Sequence, residues 1–366
     1  MDMMQANREW SARPADERFV NLTDMRADAI EAKDAAREKV ISKKDLSFAA
    51  NGNDIDVFGP NGNGYRPTHW SFSQICTEFG APADYLRRQP ADLACQNLNW
   101  GVSASPSADI KVMTECRNGE RKIRAITGPD YGRVFDADVL KVVIEMFGDG
   151  VTGDFTVPGK WGKALDTITK EDTTLYRGDK SMFLFLADEK RKIHMDNRRN
   201  GESGGLSRGF MLSQSEVRAG SFKLWMFLFD YVCGNRIIWG AEEIQEVSLR
   251  HTKGIHERWE EQLKNFKAQL DAYVGESADK IEATIRAAQD AKMGKEDMAK
   301  FLDRHFTKAE AKAAALAHLS EEDRPMETLW DVVTGVTAYA KSITWMDTRS
   351  ELERRAGGLL EAVRVR

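Results

Sequence analysis

Cysteine is scarce and scattered in this chain. The four residues Cys76, Cys95, Cys116 and Cys233 form no Cys-x-x-Cys pair. That usage argues against a disulfide framework and reads as reduced thiols. Long hydrophobic runs are also missing. Nothing approaches the roughly 18 apolar residues of a membrane-spanning helix, and Met1 to Trp10 lacks the apolar stretch of a secretory signal. The expected location is the cytoplasm, away from any membrane. Nor is there an excess of positive charge. Against 53 Lys and Arg stand 58 Asp and Glu, a formal net charge of -5. No global field draws such a chain to DNA, so a nucleic-acid surface must be a local patch.

Catalytic and cofactor motifs are absent too. The nearest approach to a phosphate loop is Gly153 to Trp161, where Gly159-Lys160 comes one residue late and Trp161 replaces the hydroxyl residue. Gly62-x-Gly64 lacks both a third glycine and a preceding strand. His251 and His256 stand five apart, on different sides of a helix rather than on one metal-binding face. Cys233 precedes a Gly-Asn turn, but apolar surroundings keep a thiol protonated and inert. No Gly-x-Ser-x-Gly elbow occurs. The chain is therefore expected to be a non-enzyme without cofactor or metal.

What is present is a foldable core, since 42% of the residues are hydrophobic. Good helix formers predict a helix over Ala27 to Val40, and the Gly- and Asn-rich stretch Asn51 to Pro67 predicts turns. Helices follow, one capped by Ser71 and others around Tyr85 and after Pro90. Ile110 to Cys116, Asn118-Gly119 and Lys122 to Thr127 read as a β-hairpin. Asp136 to Phe147 reads as an amphipathic helix. Strands are expected near Phe155 to Val157, Thr173 to Tyr176 and Met182 to Ala187. Phe222 to Trp239 is apolar enough to be strand or helix, and its aromatics favour strand. Beyond His251 everything looks helical. The expected class is α+β, an antiparallel-rich sheet core with flanking helices followed by a helical C-terminal part. The divisions are an N-terminal arm and linker (1–64), a core domain (65–250) and a helical region (251–366).

Three segments carry candidate sites. Lys190, Arg191, Lys192, His194, Arg198 and Arg199 crowd into ten residues, and a glycine-rich stretch leads on to Arg208. Such a loop can close on a phosphate backbone through guanidinium and N–H donors. The plainer reading is a solvated hairpin whose charges prevent edge-to-edge association. Arg250-His251-x-Lys253 is a second basic site that also reads as a helix lead-in. Trp259, Leu263, Phe266, Leu270 and Tyr273 recur at spacings of four and three. That stripe is either a short oligomerisation seam or a face packed on its own domain.

Ordered motifs along the chain carry a family resemblance. They are Arg208-Gly209-Phe210, Ser213-x-Ser215-Glu216-Val217, Tyr231-Val232-Cys233-Gly234-Asn235, Trp239-Gly240-Ala241 and Arg250-His251. Earlier come Trp10-x-x-Arg13-Pro14-x-Asp16-x-Arg18-Phe19, Phe79-Gly80-Ala81-Pro82-x-x-Tyr85-Leu86-Arg87 and Leu98-Asn99, and later Leu329-Trp330-Asp331 and Glu353-x-x-Ala356-Gly357. Together they resemble the phage- and plasmid-encoded domain-of-unknown-function 932 family, in its phage branch. The resemblance implies a mobile-element protein in the bacterial host cytoplasm, near replication and recombination functions, with a general likeness to single-strand annealing proteins. It transfers no catalytic or binding residues. The leading expectation is non-catalytic binding or annealing of single-stranded DNA, by the single chain or by a homo-oligomer. The alternative is an interaction protein that engages a host or phage protein through its helical C-terminal part. A cryptic enzyme built from dispersed carboxylates ranks third.

Overall fold

The structure is a computed structural model that describes residues 15–158, 168–171, 173–195, 204–230, 235–237, 247–275, 277–343 and 346–361. Two sheets precede a set of helices, so the α+β class with a helical C-terminal part holds.

The smaller sheet has the order β2 (Ala36–Ser42), β6 (Asp109–Arg117), β7 (Glu120–Thr127), β5 (Gly64–Pro67), β4 (Asp54–Phe58), β3 (Ser47–Asn51). β5 and β7 run parallel, and the other pairs are antiparallel. The β6–β7 hairpin is the one expected. Asn118 and Gly119 take φ of 52° and 80°, as a type I′ turn requires. Two expectations fail nearby. The helix ends at Ala35, and the residues after it form β2, because pairing with β6 overrides the helix propensity of Ala36 to Lys39. The stretch read as turns holds β4 and β5, whose Ile55, Val57 and Tyr65 pack on the sheet's core. Helices α2 (His69–Glu78) and α4 (Ala91–Ala104) cover one face, with the single turn α3 (Ala83–Leu86) between them. Thr68, rather than Ser71, caps α2 and accepts from the Ser71 N–H. Asn99 of α4 treats β3 as a strand neighbour. Its Oδ1 accepts from Phe48 N–H at 2.9 Å and its Nδ2 donates to the Phe48 carbonyl at 2.8 Å. That pair of bonds occupies backbone groups at the sheet edge.

The larger sheet is antiparallel, in the order β1 (Arg18–Phe19), β9 (Leu175–Arg177), β10 (Met182–Asp188), β12 (Gly204–Gln214), β13 (Phe222–Asp230), β14 (Asn235–Ile237). Short strands β8 (Phe155–Thr156), β11 (Ile193–Met195) and β15 (Val247–Leu249) pair with β10, β12 and β13. The strand reading of the apolar run from Phe222 is therefore right over β13 and β14. Trp239 lies outside the described residues. Alternation along β10, β12 and β13 sends Leu184, Leu186, Phe210, Leu212, Leu224 and Met226 to one face. Helices α1 (Leu22–Ala35), α5 (Asp136–Phe147) and α6 (Ile255–Gly275) pack there. Phe183, Phe185, Met211, Trp225 and Phe227 form a second buried cluster on the opposite face.

The stripe on α6 belongs to this core. Trp259, Leu263, Phe266, Leu270 and Tyr273 are all buried against the chain's own sheet. Burial of each such side chain contributes about 1.5–3 kcal/mol. The spacing marks a face packed on its own domain, and the side chains of the candidate oligomerisation seam are covered within one chain. Residues 18–58, within the stretch 1–64 expected as arm and linker, supply strands to both sheets.

Past α6 come α7 (Asp279–Asp290), α8 (Lys295–His305), α9 (Lys308–Glu322), α10 (Leu329–Lys341) and α11 (Met346–Glu361). α10 is buried along nearly its whole length and forms the centre of this part. Thr328 and Asp331 form a capping box at its start, and Arg324 donates to both Asp331 oxygens at 2.8 and 2.5 Å. The Leu329-Trp330-Asp331 motif is thus a helix start. No helix among the described residues is long and apolar enough to cross a membrane.

Gly209 marks a close approach of strands and ring. A Cβ there would sit 2.6 Å from the Leu186 carbonyl oxygen and 2.9 Å from the Phe227 ring. Gly209→Ala is expected to cost about 1–3 kcal/mol through overpacking. Urea denaturation reads this as a lower midpoint at unchanged m-value, and an unchanged midpoint would refute it.

Candidate functional site: a cleft between the two sheets

The basic segment expected to bind phosphate is largely neutralised where it is described. Lys190 pairs with Asp154, Arg191 with Asp188 and Lys192 with Glu189, each at 2.6 Å. Arg198 and Arg199 lie outside the described residues. Arg208 turns inward and is 3% exposed. Its guanidinium donates to the carbonyls of Val274 and Ser277 at 3.2 and 3.3 Å and lies over the Tyr273 ring. A cation there suits the negative end of α6. Arg208 therefore braces the helix on the sheet and is not presented to a solvent-borne strand. Cys233 also falls outside the described residues. Burial raises the Cys76 thiol to about 11, which leaves it protonated. Among the described residues no group of three or more His, Cys, Asp or Glu is arranged to hold a metal ion.

A different site emerges where the two sheets meet. The connector after β7, the β12–β13 loop and the lead into α6 line a cleft of about 800 Å³. Its lining includes Asp109, Asp130, Tyr131, Arg218, His251 and Lys253. The Tyr131 and His251 rings stack with centroids 5.2 Å apart and planes 12° from parallel. Nδ1 of His251 lies 3.0 Å from the Gly132 carbonyl oxygen, which assigns the proton to Nδ1. Burial lowers the pKa of His251, and the bond to Gly132 opposes that only in part. The ring is neutral near pH 7. Gly132 permits this approach, because a Cβ there would lie 2.2 Å from the Thr252 carbonyl oxygen. Glu78, also in the lining, is paired with Lys43 at 3.1 Å. Arg218 and Lys253 are exposed, and their charged ends have no ion-pair or hydrogen-bond partner among the described residues.

The loop that presents Arg218 is tightly seated. Val217 and Ala219 are each 1% exposed, and Arg218 between them takes a φ of 64°. Trp70 Nε1 and Gln74 Nε2 both donate to the Val217 carbonyl, at 2.9 and 2.8 Å. Tyr131 Oη donates to the Ser215 carbonyl and accepts from the Arg218 N–H, at 3.1 and 3.0 Å.

Beneath the loop lies a buried charge network. Glu216 Oε2 accepts from Arg133 Nε and Nη2 at 2.9 and 2.6 Å, and its Oε1 accepts from the Asp136 N–H at 2.7 Å. Asp136, first residue of α5, pairs with Arg177 Nε at 3.1 Å and accepts from Gln214 Nε2 at 3.1 Å. Arg177 reaches Asp28 of α1 at 2.6 Å, and Arg133 reaches Glu38 of β2 at 3.2 Å. Arg124 pairs with Glu115 at 2.6 Å. Burial, then the Glu216 charge, pushes the Asp136 carboxyl up to about 7. Burial acts on Glu216 in the same sense. There, the guanidiniums of Arg133, Arg177 and Arg124 outweigh it and hold the carboxyl below its ordinary range.

The sequence pointed to part of this site. Arg250-His251-x-Lys253 stood out as basic, and Ser213-x-Ser215-Glu216-Val217 as a motif. Tyr131, Arg133, Asp136 and Arg218 carried no signal of their own, because their partners are distant in the chain.

The family described as domain of unknown function DUF932 matches residues 171–365. The chain belongs to the DUF932 family. The match spans the larger sheet from β9 onward and the C-terminal helices. Within the cleft, Arg218, His251 and Lys253 come from the DUF932 region, whereas Asp109, Asp130 and Tyr131 precede it. No curated protein and no solved structure matches the chain.

The raised Asp136 sets a stability signature. A carboxyl with a folded pKa above its unfolded value contributes stability that is fully present below the unfolded pKa, near 4, and lost as pH rises to about 7. Relative to wild type, Asp136→Asn should therefore gain stability as pH rises from about 5 to about 8. Denaturant melts across that range check it. A constant difference between the two proteins would contradict the assignment.

Proposed function

We propose that the protein is a non-catalytic single-strand nucleic-acid-binding factor of a phage or plasmid, active in the host cytoplasm, and that the strand engages the cleft between the sheets. One observation carries the reading. Arg218 and Lys253 bring positive charge, unpaired among the described residues, to a cleft of about 800 Å³ that also holds a stacked tyrosine–histidine pair. Guanidinium and ammonium groups are phosphate donors, and stacked rings accept bases without regard to sequence. Asp109 and Asp130 fit the same ligand, since carboxylates accept from the exocyclic amines of bases. The volume falls within the range of small-ligand pockets, roughly 300–1,000 Å³, and suits individual bases of a strand. The lysines and arginine after β10 are matched by their own carboxylates and play no part in this version of the reading.

Fluorescence anisotropy with labelled single-stranded and duplex DNA, at low and near-physiological salt, tests it. Single-strand binding should weaken with salt. The Arg218→Ala/Lys253→Ala variant should bind about tenfold more weakly or worse, and its salt slope should flatten by about 0.7 for each phosphate it no longer neutralises. Lys190→Ala/Arg191→Ala should bind as wild type does. Undiminished binding by the cleft variant would remove the cleft from the reading.

Engagement of a host or phage protein is the second reading, and exposed apolar side chains favour it. Leu316 and Leu319 on α9 are 58% and 47% exposed, and Trp100 on α4 is 72% exposed. Absence of DNA binding at low salt would transfer the weight to these surfaces.

A further inference from the structure

We propose that the Ser215–Gly220 loop is a proton-sensitive clasp on the cleft. In this arrangement Glu216 is the positioning residue that holds Arg218 over the cleft, and ionisation of Asp136 loosens that hold. The effect on ligand rests on the strand-binding reading. The clasp itself does not.

The geometry supplies the argument. The loop's buried groups are tied to fixed partners. Ser215 Oγ donates to the Lys180 carbonyl at 2.7 Å and accepts from the Ala219 N–H at 2.9 Å. The Val217 carbonyl takes two side-chain donors from α2. Arg218 lines the cleft, and its guanidinium has no partner among the described residues. Its left-handed backbone costs roughly 1–3 kcal/mol and persists only while the surroundings enforce it. Enforcement runs through Glu216, whose two oxygens seat the loop on Arg133 and on the start of α5.

The charges around Glu216 come from every element packed on it. α5 presents Asp136, and β9 presents Arg177, itself paired with Asp28 of α1. The connector before α5 presents Arg133, paired with Glu38 of β2. β7 presents Arg124, paired with Glu115 of β6 and bonded to the Asp179 carbonyl. Lys180 lies over the Trp70 ring, and Tyr131 and His251 stand on the cleft side. With Asp136 neutral, Glu216 is the only anion among the described residues between Arg133 and Arg177 in the buried centre. Once Asp136 ionises, two carboxylates share that centre and repel across the N–H that joins them. The repulsion falls on the group that seats the loop. Asp136 titrates near neutrality because burial and Glu216 disfavour its charge.

Two measurements test the proposal. First, the Trp70 indole ¹H–¹⁵N resonance reports its bond to the Val217 carbonyl without any ligand. It should titrate in wild type between about pH 6 and about pH 8, and Asp136→Asn should abolish that titration. A resonance in wild type that does not move over this range overturns the clasp, whether or not the variant folds. Second, a short mixed-sequence DNA strand without terminal phosphates, carrying a pH-insensitive dye, is titrated with wild type, Asp136→Asn and Arg218→Ala. Wild-type affinity should fall roughly three- to tenfold between about pH 6.5 and about pH 8.5, and Asp136→Asn should flatten the profile. Equal pH profiles for wild type and Asp136→Asn overturn the gate while leaving the cleft reading in place. Equal affinities for wild type and Arg218→Ala overturn the cleft reading, and the indole titration still decides the clasp.

Discussion

Arg133, Arg177, Glu216 and Asp136 are buried together at the junction of the two sheets, and the rest of the molecule is arranged around keeping them paired. Removing one partner from such a group strands an uncompensated charge at a cost of roughly 3–5 kcal/mol. The elements that contribute must therefore assemble together. α1 brings Asp28, β2 brings Glu38, β9 brings Arg177, the end of β12 brings Gln214, and the loop after it brings Glu216. An apolar interface would tolerate sliding of one sheet on the other. A set of directional, largely buried ion pairs does not. The network fixes how the sheets sit, and the cleft at their edge inherits that precision.

Local rules made much of the fold legible. Asn118-Gly119 between alternating strands specifies a type I′ hairpin, and the apolar spacing of Val139, Val142 and Val143 specifies the helix that α5 is. The α6 stripe was legible as an apolar face, but its partner was not, because spacing alone does not distinguish a second chain from a sheet of the same chain. β2 was misread for a related reason. Its Ala, Arg, Glu and Lys are good helix formers, and the strand exists only because β6 pairs with all seven residues. Propensity is a weak preference that a complete hydrogen-bond ladder overrides.

The candidate site was less legible than the fold, and the physics says why. Sequence reasoning finds charge where charges are adjacent, as in Lys190 to Lys192. Adjacency in the chain also supplies neutralising carboxylates, and Asp188 and Glu189 pair with Arg191 and Lys192. Arg208 looked like part of the same patch. Its position on a strand of the larger sheet turned it into the core to hold the end of α6. The network joins residues up to 149 positions apart, a separation at which no spacing pattern survives. Only the Ser213-x-Ser215-Glu216-Val217 motif marked the place, without indicating that a carboxylate in it reaches back to cap α5.

Arg218 is where fold and site meet. A loop that merely joined β12 to β13 would be served by glycine at a left-handed position, since glycine adopts that backbone at no steric cost. Instead an arginine stands there, between two residues each 1% exposed, lining the cleft with its guanidinium unpaired among the described residues. Backbone strain is a cost at this residue, whereas its guanidinium is exposed to solvent. Every other feature of the loop is accounted for by hydrogen bonding and burial. Under the proposed reading, the arginine serves an anion in the cleft. The stability lost there is offset by the buried ion pairs beneath, and the same pairs leave the loop responsive to a proton at Asp136. Holding and releasing Arg218 are then two states of one buried carboxylate pair.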